Sequence, residues 1–206
     1  MRFEDWEPHY TDILELFGFN RADDERAALL LSELVAGDSL PLLERLCRGE
    51  DVTVCGNAPC LKDELDRISG VLFAADAAAD LLFRKGIRPD VVFTDLDGAD
   101  DTFVDMNREG TIMVVHAHGD NIPLLKHWVP RFSGPVVATT QSAPIPGVYN
   151  FGGFTDGDRA VFTADALGAL SVRIIGFDLD DRTVDPVKRG KLMIAGDLLA
   201  LLGYDI

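Results

Sequence analysis

Short apolar runs alternate with longer amphipathic segments from residue 51 onward. The apolar runs have the length and the Val/Ile content of buried strands, over 52–55, 71–74, 91–93, 112–115, 136–138 and 172–175. Helical spacing follows over 60–68, 77–85, 101–108, 122–129, 155–170 and 187–202. This alternation predicts an α/β fold that is Rossmann-like, with a mostly parallel sheet and helices on both faces.

The first part of the chain has a helical pattern throughout. Trp6, Tyr10 and Ile13 recur at helical spacing, and further helices are expected before residue 48. No low-complexity linker follows this region. We therefore expect residues 1–48 to be a helical extension packed on a catalytic α/β domain formed by residues 51–206. A loop or short hairpin is predicted over 144–153, where Gly and Pro are frequent.

Charge and cysteine content exclude several classes of partner. The formal net charge is -16, which argues against nucleic-acid binding and against docking on anionic lipid. The chain has no apolar run of the ~20 residues that cross a bilayer, and its N-terminus lacks an apolar signal core. Three cysteines are too few for a disulfide framework. We expect a cytoplasmic enzyme of small molecules, with a homodimer as an open option.

Carboxylates stand where the strand over 91–93 ends. Asp95 and Asp97 are two residues apart, so in strand geometry both side chains leave the same face. Two carboxylates at one strand end repel each other unless a cation such as Mg²⁺ lies between them. The alternative is an Asp-Gly turn. The next strand is also followed by ligand-capable polar residues and a glycine, in His-Ala-His-Gly-Asp-Asn at 116–121. This second occurrence favours the metal interpretation.

Other polar residues share this edge, because the carboxyl ends of parallel strands meet there. Gly56 and Asn57 form a strand-to-helix turn that is either a phosphate-binding turn or a plain tight turn. Asp76 can be the N-cap of the following helix, a functional carboxylate, or both. His118 is interpreted as a phosphate or structural hydrogen-bond partner.

Cations are scarce in so acidic a chain, which draws attention to those near the predicted edge. Thr155 or Asp156 can cap the helix that follows, and Arg159 in its first turn opposes the helix dipole, which points to a phosphate ligand. Three cations, Lys188, Arg189 and Lys191, cluster at the start of the last predicted helix. They either neutralise a triphosphate or form a solvated turn.

The combined motifs resemble a known family. Residues 94–98 (Thr-Asp-Leu-Asp-Gly) and 116–121 are its specific parts, and the resemblance covers residues 51 to about 195. The chain resembles the archaeal 6-hydroxymethyl-7,8-dihydropterin diphosphokinases of the methanopterin pathway, which are similar in turn to thiamine pyrophosphokinases. One departure is Gly-Asn-Ala-Pro-Cys at 56–60, where related proteins often have Gly-x-Gly-Pro-Ser.

The resemblance implies a site that binds Mg²⁺ and ATP. It assigns the metal and the triphosphate to Asp76, Asp95, Asp97 and Asp120. It also implies a nucleotide-binding edge formed by Thr139, Thr140 and Gln141.

The implied reaction transfers a diphosphoryl group from ATP to the hydroxymethyl oxygen of the pterin and releases AMP. Asp95 or Asp120 would take the alcohol proton. The slot for the pterin ring is expected to be formed by Asn121, Phe151 and Phe154. Asp178 is also expected to bind the substrate.

Alternative functions stay open from the sequence. A thiamine pyrophosphokinase is disfavoured by the 116–121 element and by the short chain after Gly176, which leaves no room for a β-sandwich domain. The others are a non-catalytic nucleotide-binding protein on the same fold and a two-metal phosphatase.

Overall fold

A parallel β-sheet forms the centre of the computed structural model, which describes residues 1–204 and 206. Its strands within these residues are β1 (Asp51–Cys55), β2 (Val71–Ala75), β3 (Val91–Thr94), β4 (Ile112–Ala117), β5 (Val136–Thr140), β6 (Val148–Tyr149) and β7 (Ser171–Ile175). Their order across the sheet is β6-β5-β4-β3-β2-β1-β7, and each neighbouring pair is parallel. The carboxyl ends of the strands therefore meet at a common edge.

Helices surround this sheet along the whole chain. They are α1 (Phe3–Phe17), α2 (Arg21–Leu34), α3 (Leu40–Cys47), α4 (Ala77–Arg84), α5 (Asp101–Arg108), α6 (Ile122–Trp128), α7 (Asp156–Ala166) and α8 (Pro186–Leu201). Among the described residues, no helix has both the length and the hydrophobicity that crossing a bilayer requires.

Both faces of the sheet are covered because its strands carry apolar residues on both sides. On one face Leu72 belongs to a buried cluster with Leu82 of α4 and Leu125 of α6. On the other face its neighbour Phe73 packs in a cluster with Ala160 of α7. This arrangement confirms the predicted α/β fold with helices on both faces.

The N-terminal helices pack directly on the α/β part. Trp6 and Tyr10 of α1 share a buried cluster with Phe162 of α7, and Leu31 of α2 lies in the core cluster of the sheet. The Trp6 indole Nε1 donates a hydrogen bond of 2.8 Å to the backbone oxygen of Gln141. The helical character of residues 1–48 is confirmed, and the domain division after them stays a prediction.

One predicted helix is wrong. The segment over 60–68 forms 3₁₀ turns, Pro59–Asp63 and Leu65–Arg67, instead of an α-helix. Its Glu64 carboxylate accepts a 2.7 Å hydrogen bond from the backbone N–H of Gly176. This anchor ties the segment to the end of β7 and holds it as a tight connection between two adjacent strands.

The strands near the functional edge are longer than predicted. His116 lies within β4 and pairs with Thr139 of β5, and Thr140 also lies within β5. The predicted loop or hairpin at 144–153 contains the short strand β6 and an antiparallel bridge between Ile145 and Val148. The polar side chains of β4 and β5 are therefore held by the sheet itself.

Candidate active site

Carboxylates from separate elements meet at the carboxyl edge. Asp76 follows β2, Asp95 follows β3, and Asp156 is the first residue of α7. One ligand atom from each lies within 4.8 Å of the others. Asp156 reaches this edge because α7 packs across β1, β2 and β3 with most of its residues buried. We call Asp76, Asp95 and Asp156 the carboxylate cluster.

The backbone at this cluster is in unusual conformations. Asp76 has φ 42° and ψ -117°, a conformation dominated by glycine, and buried Leu96 has φ 70°. Thr94 holds both residues, because its hydroxyl donates to Asp76 Oδ1 at 2.9 Å and accepts from the Leu96 N–H at 2.8 Å. Strain of this kind costs of order 1–3 kcal/mol per residue and collects at functional sites.

Burial and mutual repulsion perturb the cluster. Burial, with the nearby Asp95 charge, raises the pKa of Asp76 to about 6, despite the opposing hydrogen bond from Thr94. Burial and the same Asp95 charge raise the pKa of Asp156 well above its usual range. For Asp95, burial is outweighed by contact with His118, by the Asp97 N–H and by Arg159, so its pKa is lowered.

These features fit a hard divalent cation. Carboxylate oxygens are the ligands that Mg²⁺ and Ca²⁺ prefer, and the cluster contains neither Cys nor His. Repulsion among partly buried carboxylates is relieved when a cation binds between them. In the part of the chain that the structure describes, no other group of His, Cys, Asp and Glu meets the same distance criterion.

Residues of the 116–121 element support Asp95 from the next strand. His118 Nε2 lies 3.6 Å from Asp95 Oδ2, and the His118 Nδ1 accepts from the Asp120 N–H at 3.4 Å. The Asn121 amide donates to the backbone oxygens of Asp95 and His116 at 2.8 and 2.7 Å. Both amide hydrogens of Asn121 are thus used inside the protein, so this residue positions the loop.

Two of the predicted metal ligands lie outside the carboxylate cluster. Asp97 and Asp120 are exposed. The Asp97 N–H donates to Asp95 Oδ1 at 3.0 Å, and the Asp97 charge contributes to the raised pKa of Asp76. Asp97 is therefore close to the cluster without belonging to it. The ligand role of both residues stays a prediction.

Gln141 is buried and held from the N-terminal helices. Its amide Nε2 donates to Asp24 Oδ2 at 2.8 Å, and the same oxygen accepts from the Tyr10 hydroxyl at 2.7 Å. Asp24 Oδ1 accepts from the Gly119 N–H at 2.7 Å. A carboxylate of α2 thus fixes parts of two strand-end loops. This network gave no signal in the sequence, because Asp24 reads there as an ordinary helix residue.

The predicted aromatic residues have different environments. Phe154 is buried against Phe17, with ring centroids 5.3 Å apart, so it forms part of the core. Phe151 is half-buried and lines a small pocket with Thr139 and Arg159. Of the two predicted ring-binding aromatics, Phe151 is thus the one placed beside open space.

Arg159 adjoins both the carboxylate cluster and this pocket. Its Nη1 lies 3.2 Å from Asp156 Oδ1, and its Nη2 donates to the Phe154 oxygen at 2.5 Å. Lys191 lies with its ammonium 5.8 Å from the Phe154 ring centre, and Lys188 is exposed. Among the cations predicted to bind phosphate, Arg159 thus contacts the carboxylate cluster directly, through Asp156.

The turn after β1 is explained by packing. A Cβ on Gly56 would lie 2.5 Å from the Gly176 oxygen and 2.6 Å from the Phe177 ring, so only glycine fits there. Asn57 and Asp178, after β1 and β7, are exposed. Close packing therefore accounts for Gly56 without a phosphate.

The sequence interpretation missed Asp156 as a cluster member. The Thr155 hydroxyl and the Asp158 carboxylate form a capping box at the start of α7, so capping is done by the neighbours of Asp156. The sequence did contain a signal for this role. Thr155 and Asp158 already suffice for a capping box at the start of this helix, so the carboxylate of Asp156 is not needed for capping.

Fold and site together define an α/β enzyme with an acidic site at the carboxyl edge of a parallel sheet, of the type used with divalent cations and phosphates. The family model described as "6-hydroxymethylpterin diphosphokinase MptE-like" matches residues 28–183. The chain belongs to this family, which confirms the resemblance and the expected class of enzyme, a diphosphotransferase.

Individual relatives agree with the family assignment. The chain is 37% identical to the 6-hydroxymethyl-7,8-dihydropterin pyrophosphokinase of Methanothermobacter thermautotrophicus, over 97% of this chain and 94% of the relative. The protein of the same name from Pyrococcus furiosus is 42% identical over 86% of this chain and 78% of the relative. That of Methanocaldococcus jannaschii is 32% identical over 86% and 80%.

Proposed function

We propose that this protein transfers a diphosphoryl group from ATP to 6-hydroxymethyl-7,8-dihydropterin in a Mg²⁺-dependent reaction that releases AMP. The proposal is supported by membership in the family and by the names of the archaeal relatives. The observation that carries its metal dependence is the convergence of Asp76, Asp95 and Asp156 within 4.8 Å.

In this proposal the carboxylate cluster would hold the cation. Bound Mg²⁺ supplies charge neutralisation for the phosphate oxygens of the nucleotide. Asp95 offers an ionised carboxylate because its pKa is lowered, while the raised pKa values of Asp76 and Asp156 fall when a cation replaces their protons. Thr94 holds Asp76 toward the cluster through its 2.9 Å hydrogen bond.

The reaction needs a base for the alcohol proton. The hydroxymethyl oxygen bonds to the β-phosphorus, the bond from that phosphorus to the α,β-bridging oxygen breaks, and AMP leaves with this oxygen. Of the two predicted bases, Asp95 belongs to the carboxylate cluster, whereas exposed Asp120 is outside it. We assign proton removal to Asp120, since a carboxylate that binds the cation is a weaker base.

Nearby cations offset the charge of the triphosphate. Arg159 is fixed beside Asp156 and donates to the Phe154 backbone oxygen, and the Lys191 ammonium lies 5.8 Å from the Phe154 ring centre. Lys188 belongs to the proposal as an exposed cation of α8. Thr139, Thr140 and Gln141 stay assigned to the nucleotide edge. We place the reaction in the cytoplasm, where ATP is found, and a homodimer stays a prediction.

The product distinguishes this function from its alternatives. Purified protein is incubated with ATP and Mg²⁺, in parallel with 6-hydroxymethyl-7,8-dihydropterin and with thiamine. We expect AMP and a pterin diphosphate in the first reaction and neither AMP nor thiamine diphosphate in the second. Inorganic phosphate without AMP would indicate a phosphatase, and no turnover in either reaction would indicate a binding protein.

A further inference from the structure

The ring of Phe177 packs against the start of α7, the helix that carries Asp156. Phe177 is the second residue after β7, and its side chain is half-buried. A Cβ on Gly157, in the first turn of α7, would lie 2.7 Å from Cζ and 2.9 Å from Cε1 of this ring. These distances are too short for any side chain at residue 157. The ring therefore lies directly against the backbone of the residue that follows Asp156.

Another part of the same ring is held by the turn after β1. A Cβ on Gly56 would lie 2.6 Å from Cδ2 and 2.8 Å from Cε2 of Phe177. The ring is thus clamped between Gly56 and Gly157, and neither position has room for a side chain. A glycine inside a helix costs ~1 kcal/mol relative to alanine, so the close contact with Phe177 explains why α7 has one in its first turn.

The backbone of Phe177 is anchored to the connection between β1 and β2. The preceding Gly176 donates its N–H to the Glu64 carboxylate at 2.7 Å and accepts from the Ala58 N–H at 2.8 Å. The carbonyl oxygen of Phe177 lies 3.8 Å from the Cys60 thiol, which donates to it. Because these bonds fix the backbone on both sides of the side chain, the ring has a firm base.

Phe177 and the carboxylate partners of Asp156 approach the start of α7 from different sides. The strands in this part of the sheet have the order β3-β2-β1-β7. Asp95 and Asp76 follow β3 and β2, whereas Gly56 and Phe177 follow β1 and β7. The first turn of α7 therefore has the carboxylates on its β2 and β3 side and the aromatic ring on its β7 side.

Repulsion within the carboxylate cluster acts on this helix start. Without a cation, ionised Asp76 and Asp95 push Asp156 away from the ends of β2 and β3, toward the side on which Phe177 packs. The ion pair of Asp156 with Arg159 is internal to α7, so it does not fix the helix relative to the sheet. A closely packed and anchored ring does oppose this movement, because it has no space into which to yield.

We propose that Phe177 is a positioning residue of the cation site, which keeps the start of α7, and with it Asp156, close to the other two carboxylates. The inference rests on the proposed function and deepens it by assigning the residue that supports the ligand from α7. Phe177 touches neither the cation nor the substrates in this role. Without its ring the helix start moves away from β2 and β3, and the separated carboxylates bind the cation more weakly.

The test measures Mg²⁺ binding without turnover. Isothermal titration calorimetry, without ATP or pterin and below the melting transition of each protein, gives the Kd of Mg²⁺ for wild type, Phe177→Leu and Phe132→Leu. Phe132 is the matched control, because it is also half-buried but packs against the core cluster on the other face of the sheet. We expect the Kd to rise at least ~10-fold in Phe177→Leu and to stay unchanged in Phe132→Leu.

Glycine variants test the contact with α7 and stand even if Phe177→Leu does not fold. Gly157→Ala places a Cβ against the ring, so we expect a lower melting temperature and weaker Mg²⁺ binding, although alanine favours helices. Gly190→Ala in α8, where a Cβ would lie 3.6 Å from the Phe17 ring, should not lower the melting temperature. Adding Phe177→Leu to Gly157→Ala makes room for the new Cβ, and this double variant should bind Mg²⁺ more tightly than Gly157→Ala alone.

The expected pattern is a loss of Mg²⁺ affinity in each single variant of the contact and recovery in the double variant. Wild-type Mg²⁺ affinity in Phe177→Leu, an equal loss in Phe132→Leu, or a double variant that binds no better than Gly157→Ala would overturn the role of Phe177 alone. A wild type that does not bind Mg²⁺ would contradict the proposed cation site itself.

Discussion

The backbone N–H of Gly119 donates a 2.7 Å hydrogen bond to the carboxylate of Asp24, which joins an N-terminal helix to the loop between His118 and Asp120. The other oxygen of Asp24 accepts from Tyr10 and Gln141. Asp24 is buried, so these donors have no access to water as a substitute. The N-terminal extension is therefore part of the support of the candidate site.

Replacing Asp24 by Asn should loosen that support. An amide keeps one acceptor but turns a second donor toward Gln141 Nε2, which leaves a buried donor unsatisfied. We expect Asp24→Asn to lower the free energy of unfolding by about 1–3 kcal/mol, measured by urea denaturation, and to lower AMP formation. Glu25→Gln, an exposed change on the same helix, is the control. Equal stability of the two variants would contradict this role.

The strained backbone of Asp76 predicts a trade between stability and activity. Asp76→Gly relieves a positive φ and removes a repelled carboxylate, against an entropic cost of ~0.5–1 kcal/mol for glycine. We expect the metal-free variant to melt a few degrees higher than Asp76→Ala, which keeps the Cβ and hence the strain. Neither variant should form AMP. Identical melting temperatures would show that no strain is stored at this residue.

The pKa of Asp76 predicts how stability depends on pH without metal. A carboxyl whose pKa rises from 3.8 to about 6 on folding binds its proton more tightly in the folded state. Its stabilising contribution is complete below pH 3.8 and is lost as the pH rises through 6.

We therefore expect wild type to lose about 1–3 kcal/mol relative to Asp76→Asn between pH 4 and pH 7 in EDTA. Urea unfolding of both proteins across this range measures the difference. Saturating Mg²⁺ should reverse the loss, because the cation stabilises the ionised carboxylates. A difference between the two proteins that is independent of pH would contradict the raised pKa.

The strand-end carboxylates show which parts of the site a sequence can predict. Asp76 and Asp95 follow apolar strands, and the rule that parallel strands share a carboxyl edge was enough to bring them together. Asp156 was missed because it reaches this edge only through the packing of α7 on the sheet, a long-range contact with no local signal. Asn121 and Gln141 lie at the predicted edge of the sheet, but their side-chain amides donate hydrogen bonds within the protein. The position of a residue along the chain does not determine where its side chain points.

The two lysines of α8 are expected to contribute to ATP binding to different extents. The Lys191 ammonium lies 5.8 Å from the ring centre of Phe154, whose backbone oxygen accepts from Arg159, whereas Lys188 is exposed. Lys191→Ala should raise the KM for ATP about two- to fivefold with little change in kcat, as expected for the loss of a solvated ion pair. Lys188→Ala is the comparison and should show a smaller effect. An unchanged KM for ATP in Lys191→Ala would contradict this role and would indicate that the basic residues of α8 only form a solvated start of the helix.

The central claim is that Asp76, Asp95 and Asp156 form the cation site for diphosphate transfer. It is tested most directly by the initial rate of AMP formation, from ATP and 6-hydroxymethyl-7,8-dihydropterin, in Asp156→Asn and Asp165→Asn over a series of Mg²⁺ concentrations. We predict a fall of at least ~100-fold in kcat/KM for Asp156→Asn, together with a higher melting temperature without metal. Asp165 is an exposed carboxylate on the same helix, and Asp165→Asn should stay close to wild type. A near-normal rate in Asp156→Asn, or an equal loss in Asp165→Asn, would contradict the claim.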